Sequence, residues 1–183
     1  MIKKFFLFTA ILAAFTLSSC SDPKPTSELE AKCEALMEKY PNYESNEMAA
    51  KSLNDSVAAY CESFVGKEAS LLKGIEFEFV KTFDNEQKGT HPALFKGRGF
   101  CEIDAKGGKT KYIISSPSVL VLGTLSDEQT ATLDSNQKYS ISGIVHAWDG
   151  DNMLGTHTVM THSDISFGTF IMETINVDVI DAK

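Results

Sequence analysis

The stretch LSDEQTATLDSNQKYSISGIVHA, residues 125–147, carries the pattern that decides the fold. Ser126 and Gln129 have the spacing of a capping box, in which each side chain accepts a bond from the other residue's backbone N–H. They predict a brief helix that ends near Leu133, followed by a polar turn. After the turn, apolar or small residues recur at every second position, which is typical of a half-buried strand. These residues are Tyr139, Ile141, Gly143 and Val145.

The same alternation of period two appears on both sides of this stretch. The predicted strands cover residues 75–80, 93–103, 111–115, 119–122, 139–145 and 175–179. Gly97 and Gly99 lie within the second strand and indicate a bulge or strong coil, as in a small closed barrel. The chain order is therefore about three strands, a short helix, and two or three further strands. That order predicts a five-stranded barrel of the OB type.

The passage from the short helix into the strand Tyr-Ser-Ile-Ser-Gly-Ile-Val resembles one in tRNA-anticodon-like bacterial OB proteins. In that family, which includes many lipoproteins, the passage leads into the fourth strand. The resemblance implies a small, mainly antiparallel, OB-like β-barrel over residues 67–183. Residues 82–92 form a long polar loop that has no place in a minimal barrel. A cystatin-like or lipocalin-like sheet is therefore the alternative.

Residues 28–66 have a helical period instead. Ser27 and Glu30 form a second capping-box pattern, and Pro41-Asn42 ends the helix that they begin. One face of this helix consists of Leu29, Cys33, Leu36 and Tyr40. A second helix is predicted from near Ser45 to Gly66. Its apolar seam consists of Ala50, Leu53, Val57, Tyr60 and Phe64.

Two amphipathic helices joined by a short turn predict an antiparallel hairpin. The fold class is thus α+β, with this helical hairpin in front of the barrel. We expect the apolar seam to pack on the protein's own sheet. In the alternative, Leu53, Val57 and Phe64 remain exposed and form a strip that binds a protein partner.

The N-terminus reads as an export signal over residues 1–19. Lys3 and Lys4 precede an apolar run at residues 5–17, which is shorter than the roughly 20 residues that a bilayer span needs. The run is followed by Leu17-Ser18-Ser19-Cys20, which resembles the lipobox of bacterial lipoproteins. The resemblance implies cleavage before Cys20 and acylation of its thiol. Residues 20–27 would then be a lipidated tether.

The residues after Cys20 indicate where in the cell envelope the protein is located. Ser21 stands where an aspartate favours inner-membrane retention in enterobacteria, so its presence favours the outer membrane. Asp22 resembles the acidic export tag of Bacteroidota lipoproteins, which reach the cell surface. We therefore expect a lipid-anchored protein of the bacterial cell envelope, on the periplasmic face or the cell surface. Loss of Lys3 and Lys4 lowers the formal net charge of −8 by two further units.

Common catalytic and cofactor motifs are absent from the sequence, including G-x-S-x-G, H-E-x-x-H, phosphate-binding glycine loops and C-x-x-C. We therefore expect no cofactor and no catalytic residue. His146 and His157 lie symmetrically about residues 151–152, and a hairpin turning there would place them opposite each other as metal-ligand candidates. Asp149-Gly150 is itself a turn signal that would shift this register. We expect both histidines to be solvated and to bind no metal.

Three cysteines would remain as thiols after lipidation of Cys20. Cys33 and Cys61 fall roughly 13 Å apart along the predicted hairpin, at 1.5 Å per residue. A disulfide needs Cα atoms within about 7 Å, so we expect no bridge between them. Cys101 shares the parity of Phe95 and is predicted to be a buried, unreactive thiol.

Basic residues cluster between residues 81 and 111, where Arg98 is the only arginine of the chain. OB folds that bind nucleic acid need a cationic groove with exposed aromatic rings, for which Phe100 and Tyr112 are candidates. The net charge of −8 opposes phosphate binding,, and we expect no nucleic-acid partner. The expected partners are a membrane, through the lipid on Cys20, and an envelope protein or small ligand.

These patterns leave three functions. The first is a non-catalytic binding module at the envelope. The second is a structural or assembly lipoprotein that binds a membrane partner through its helical hairpin. The third is a metal-site protein that uses His146 and His157.

Overall fold

The predicted α+β class is confirmed by the computed structural model, which contains helices and a mostly antiparallel sheet of five strands. The structure describes residues 27–43, 45–83, 89–99, 101–104, 111–114, 117–150 and 165–180. Within these residues, no helix is long and apolar enough to cross a bilayer.

Two helices open the described chain, α1 at Glu28–Lys39 and α2 at Glu47–Glu62. The predicted capping box starts α1, because Ser27 Oγ accepts from the Glu30 N–H and the Ser27 N–H donates to Glu30 Oε2. Asn46 caps α2, one residue later than the predicted start. The predicted inner faces of both helices pack into the fold, with Leu29 and Val57 buried and Tyr40 and Tyr60 partly buried.

Two side-chain contacts join α1 and α2. The Tyr60 hydroxyl near the end of α2 donates to Glu28 Oε1 at the start of α1, at 3.2 Å. The hydroxyls of Tyr40 and Ser56 lie 2.9 Å apart. The first contact joins the last turn of α2 to the first turn of α1, and the second joins the C-cap of α1 to the interior of α2.

The strands of the main sheet are β1 Glu76–Thr82, β2 Thr90–Arg98, β5 Pro117–Ser126, β6 Lys138–Asp149 and β7 Ile165–Val179. The sheet closes on itself in the order β1-β2-β5-β7-β6. β5 and β7 are parallel, whereas the other neighbours are antiparallel. Between β5 and β6 lies the short helix α3, Asp127–Ala131, with the predicted capping box of Ser126 and Gln129. This helix ends before Leu133, where the sequence pattern placed its end.

The seam between β1 and β6 is short, because only Phe77 and Glu78 of β1 pair with β6. The chain that follows α2 continues along the free edge of β6. The Gly66 N–H donates to the Val145 carbonyl at 2.8 Å, and the Ala69 N–H donates to the Gly143 carbonyl at 2.9 Å. Residues 66–69 thus extend the sheet where β1 stops.

The predicted strand over residues 93–103 is wrong as a single element. β2 ends at Arg98, and Cys101–Asp104 forms a separate strand, β3, that pairs with β4 at Lys111–Ile114. A Cβ atom on Gly97 would lie 2.6 Å from the Phe77 ring, and one on Gly99 would lie 2.7 Å from the Glu30 carboxylate. The two glycines therefore mark close packing at the end of β2, where the chain leaves the barrel.

The final strand is longer than the predicted residues 175–179, since β7 begins at Ile165. Gly168 interrupts its alternation with a φ of 74°. A Cβ there would lie 2.5 Å from the Asp149 carbonyl oxygen, so this position requires glycine for conformation and for space.

The interior of the barrel is filled largely by aromatic rings. Phe77, Phe95, Tyr139, Phe167 and Phe170 are all at most 2% exposed. Helix α1 contacts β3 and β5, α2 contacts β6 and β7, and α3 contacts β2 and β5. At the β7 side, the Cys61 thiol donates to the Phe167 carbonyl over 3.7 Å. The helices and the barrel interior therefore share one hydrophobic core.

Candidate functional site

The helix residues proposed for partner binding lie in this core. Leu53 is 0% and Val57 is 1% exposed, and Phe64 is partly buried against the same cluster. These three residues therefore do not form the exposed apolar strip that a docking helix would present. The apolar seam of α2 packs inward instead, which is the first of the two interpretations given for its spacing.

Of the two histidines considered for a metal site, His146 lies on β6 and His157 lies outside the described residues. His146 Nδ1 is 3.4 Å from Glu173 Oε1, and both side chains are well exposed. Within the described part of the chain, no three His, Cys, Asp or Glu side chains are grouped closely enough to hold a metal ion. His146 is thus a surface histidine beside one carboxylate.

Cys33 and Cys61 are both buried, and no disulfide joins these two residues in the structure. Burial, and to a smaller extent the charge of Glu62, raises the pKa of the Cys61 thiol to about 12. A thiol with such a pKa is almost entirely protonated at neutral pH and is a poor nucleophile. Cys20 and the side chain of Cys101 lie outside what the structure describes.

The basic cluster is only partly within the described residues. Lys96 and Arg98 lie on β2, and Lys81 on β1 places its ammonium group 4.6 Å from the centre of the Phe83 ring. Phe100 and the Tyr112 side chain lie outside the described part. The expected lack of a nucleic-acid partner therefore stays a prediction.

An open cleft of about 520 Å³ lies on the outer face of β6 and β7. Its wall is the turn after α2, where Gly66 adopts a φ of 79° and directs the chain onto the edge of β6. Its floor comes from the two strands. The lining residues are Val65, Gly66, Gly143, Ile144, Val145, His146, Glu173, Thr174 and Asn176.

Exposed aliphatic side chains distinguish this cleft. Among the described residues, five large apolar side chains are exposed, and two of them, Ile144 and Val65, line it. Ile144 is 63% and Val65 is 43% exposed. Isolated exposed apolar residues are common, whereas neighbouring ones in a concave surface indicate a binding site.

An irregularity in the strand pairing shapes the floor of the cleft. Gly143 pairs with Ile175 and Val145 pairs with Met172, so Glu173 and Thr174 stand opposite the single residue Ile144. This is the geometry of a β-bulge, which reorients side chains and is frequent near functional sites. A Cβ on Gly143 would lie 2.8 Å from the Thr174 carbonyl oxygen, so the bulge requires glycine there.

The sequence contained part of the signal for this cleft. Tyr139, Ile141 and Val145 have one parity and face inward, so Ile144 had to face outward on β6. Its significance depends on Val65, which is distant in sequence and reaches β6 only because residues 66–69 pair with that strand. Strand periodicity alone contains no information about that contact.

A second group of outward-facing residues lies on β2, β5 and β7. Leu94 and Leu120 alternate with Phe95 and Val121, which face the barrel interior, yet they are only 1% and 4% exposed. Thr169, the neighbour of Leu120 on β7, is 0% exposed, and its hydroxyl oxygen has no hydrogen-bond partner among the described residues. This part of the outer surface is therefore covered.

In comparisons with known proteins, the chain matches no family model, no curated protein and no solved structure.

Proposed function

We propose that this chain is a lipid-anchored protein of the bacterial cell envelope that acts as a non-catalytic binding module. In this proposal the domain is an OB-type barrel preceded by an antiparallel helical hairpin. The strand order supports the barrel type. In chain order, β6 is the fourth strand of the closed sheet, and α3 directly precedes it. The resemblance in residues 125–147 implies this arrangement. The contacts of Tyr60 with Glu28 and of Tyr40 with Ser56 support the hairpin.

The anchor rests on the N-terminal sequence. Lys3 and Lys4, the apolar run and Leu17-Ser18-Ser19-Cys20 fit a lipoprotein signal,. Two or more acyl chains hold a protein firmly at a membrane, whereas one binds only marginally. The described domain, which starts at Ser27, would then remain at the membrane surface.

The observation that carries the binding function is the cleft on β6 and β7. It combines exposed Ile144 and Val65 with the polar side chains of Glu173, Thr174 and Asn176. Apolar contact area with a few polar groups to orient a ligand is the usual composition of a binding site. The alternative in which α2 binds a membrane partner has less support, because Leu53 and Val57 are core residues.

Metabolic labelling tests the anchor. Palmitate should label the wild-type protein in its host, and Cys20→Ala should abolish the label and leave unprocessed or released protein. Cys33→Ala is the matched control and should keep the label. Labelling that persists in Cys20→Ala would contradict the lipoprotein assignment.

Fluorescence anisotropy with single-stranded DNA tests the expected lack of nucleic-acid binding. At about 150 mM salt, near the physiological ionic strength, we expect no saturable binding by this acidic chain. Submicromolar binding that drops on Arg98→Ala would instead make the protein a nucleic-acid binder.

A further inference from the structure

We infer that the cleft on β6 and β7 binds a cationic polypeptide segment in an extended conformation, with one aliphatic side chain inserted between Ile144 and Val65. This inference rests on the proposed binding function and specifies the ligand class and the residues that would recognise it.

Two exposed aliphatic side chains, Ile144 and Val65, supply the apolar part of the recognition. Ile144 stands opposite the bulge of Glu173 and Thr174, and Val65 belongs to the turn that Gly66 directs onto β6. An added Cβ at Gly66 would meet no atom of the described residues within 4 Å. The space above the turn is thus open to an incoming chain, and burial of the two aliphatic side chains would favour binding.

The charged groups around the cleft are mostly acidic. Glu173 lies on its floor, Glu68 forms a β-bridge with Ile144, and Glu62 ends α2 just before the wall. Lys67 also lies in this wall, and His146 Nδ1 is 3.4 Å from Glu173 Oε1. Among the described residues, no lysine or arginine nitrogen lies within 4 Å of the carboxylates of Glu62, Glu68 or Glu173. These three carboxylates would attract lysine or arginine side chains of a ligand.

The same charges argue against the other classes of ligand. Nucleic acid and anionic lipid headgroups carry phosphates, which Glu173 in the cleft and the neighbouring acidic residues Glu62 and Glu68 disfavour,. Polar groups of Thr174 and Asn176 line the floor and can bond the peptide groups of an extended segment,. In an extended segment, residues two positions apart share a face. A segment with an aliphatic residue flanked at two positions on either side by basic residues therefore presents both kinds of side chain to the cleft.

A binding titration with the mature, lipidated protein in detergent tests the inference. The probe is a fluorescent five-residue peptide of the sequence lysine-serine-leucine-serine-lysine, in which the leucine and both lysines share one face when the peptide is extended. Its counterpart replaces each lysine with glutamate. We expect saturable binding of the lysine peptide that weakens with added salt, because exposed charges are screened beyond about 10 Å at 0.1 M. The glutamate peptide should not bind.

Variants locate the binding. Ile144→Ser and Glu173→Gln should each weaken binding of the lysine peptide by about tenfold or more, as expected for residues central to a binding surface. Val179→Ser is the matched control, because Val179 is 51% exposed and lies outside the cleft. Equal unfolding midpoints in urea would show that all three variants fold.

Several outcomes would overturn the inference. These are equal binding of both peptides, no saturable binding of the lysine peptide, or an affinity unchanged by Ile144→Ser. The palmitate label on Cys20 is read in the same preparation. If the label is present and binding fails, the ligand assignment is wrong and the anchor stands. If binding succeeds without the label, the anchor is wrong instead.

Discussion

Leu120 on β5 and Ile144 on β6 are aliphatic residues of equal size, and both face away from the barrel interior. Leu120 is 4% exposed, whereas Ile144 is 63% exposed. The covered face, which we define by Leu94, Leu120 and Thr169, therefore behaves as a second layer of core. The cleft face remains open beside a bulge. Outward parity in a strand predicts only the side of the sheet, and additional chain segments determine whether that side meets water.

The largest expected contrast between the two faces is chemical access to thiols. A cysteine introduced by Ile144→Cys should react rapidly with a thiol reagent in the native protein. One introduced by Leu120→Cys should react about a thousandfold more slowly, if the covered face opens at a cost of roughly 4 kcal/mol. Reaction rates measured against the wild-type background test this. Similar rates at both positions would mean that the Leu120 face is open.

Removal of the aliphatic side chain gives the next contrast. Leu120→Ala should reduce the free energy of unfolding by about 2–4 kcal/mol, because a buried leucine leaves a cavity. Ile144→Ala should change it by less than about 0.5 kcal/mol, as is usual for exposed positions. Urea titration of both variants measures the difference. A large loss of stability in Ile144→Ala would show that the cleft residue is structural.

A smaller effect is expected at Thr169, whose buried hydroxyl oxygen has no hydrogen-bond partner in the described part of the chain. Thr169→Val replaces that hydroxyl with a methyl group of similar shape and should raise the free energy of unfolding by about 1 kcal/mol. Thr174→Val, at an exposed position on the same strand, is the control and should be close to neutral. Destabilisation by Thr169→Val would indicate that the hydroxyl does bond a group in solution.

The smallest effect concerns acid stability at the seam between β1 and β6. The hydrogen bond from Lys138, together with its charge, lowers the pKa of Glu78. The pair therefore stabilises the fold above the usual glutamate pKa of about 4.3, and this contribution is lost as the pH falls through the lowered value. Both groups are nearly half exposed, so we expect only a few tenths of a kcal/mol.

Urea midpoints at pH 7 and in acid check this expectation. Lys138→Met should lower the midpoint slightly at pH 7 and leave it nearly unchanged once Glu78 is protonated. The difference should shrink as salt is added. An equal loss at both pH values would point to lost packing of the lysine stem rather than lost charge.

The helices were predictable because their signals are local. Capping boxes and a period of 3.6 residues determine both where a helix begins and which face it buries, and Leu29 and Leu53 are buried accordingly. The split between Arg98 and Cys101 was not predictable from alternation, since the parity of residues 93–103 continues across it. Only the packing of Gly99 against Glu30 marks the point where the chain leaves the barrel.

The cleft was predictable in part. Alternation places Ile144 outward, but neither the bulge at Glu173 nor the pairing of residues 66–69 with β6 follows from the period of either segment. The early part of β7 was missed for a related reason. The left-handed residue Gly168 breaks its alternation, so Phe167 and Phe170 both point inward although they are three residues apart.

The buried capping box of α1 limits how far the domain can move away from the membrane surface. Ser27 and Glu30 are 7% and 3% exposed, so the first turn of this helix is held against the rest of the fold. Residues 20–26 precede it, and seven residues span at most about 25 Å when fully extended. If Cys20 is acylated, as proposed, the cleft would stay within a thin layer next to the bilayer. Its partner would then be another protein of the same membrane, or a segment that protrudes from that membrane. The two would meet by lateral diffusion in two dimensions.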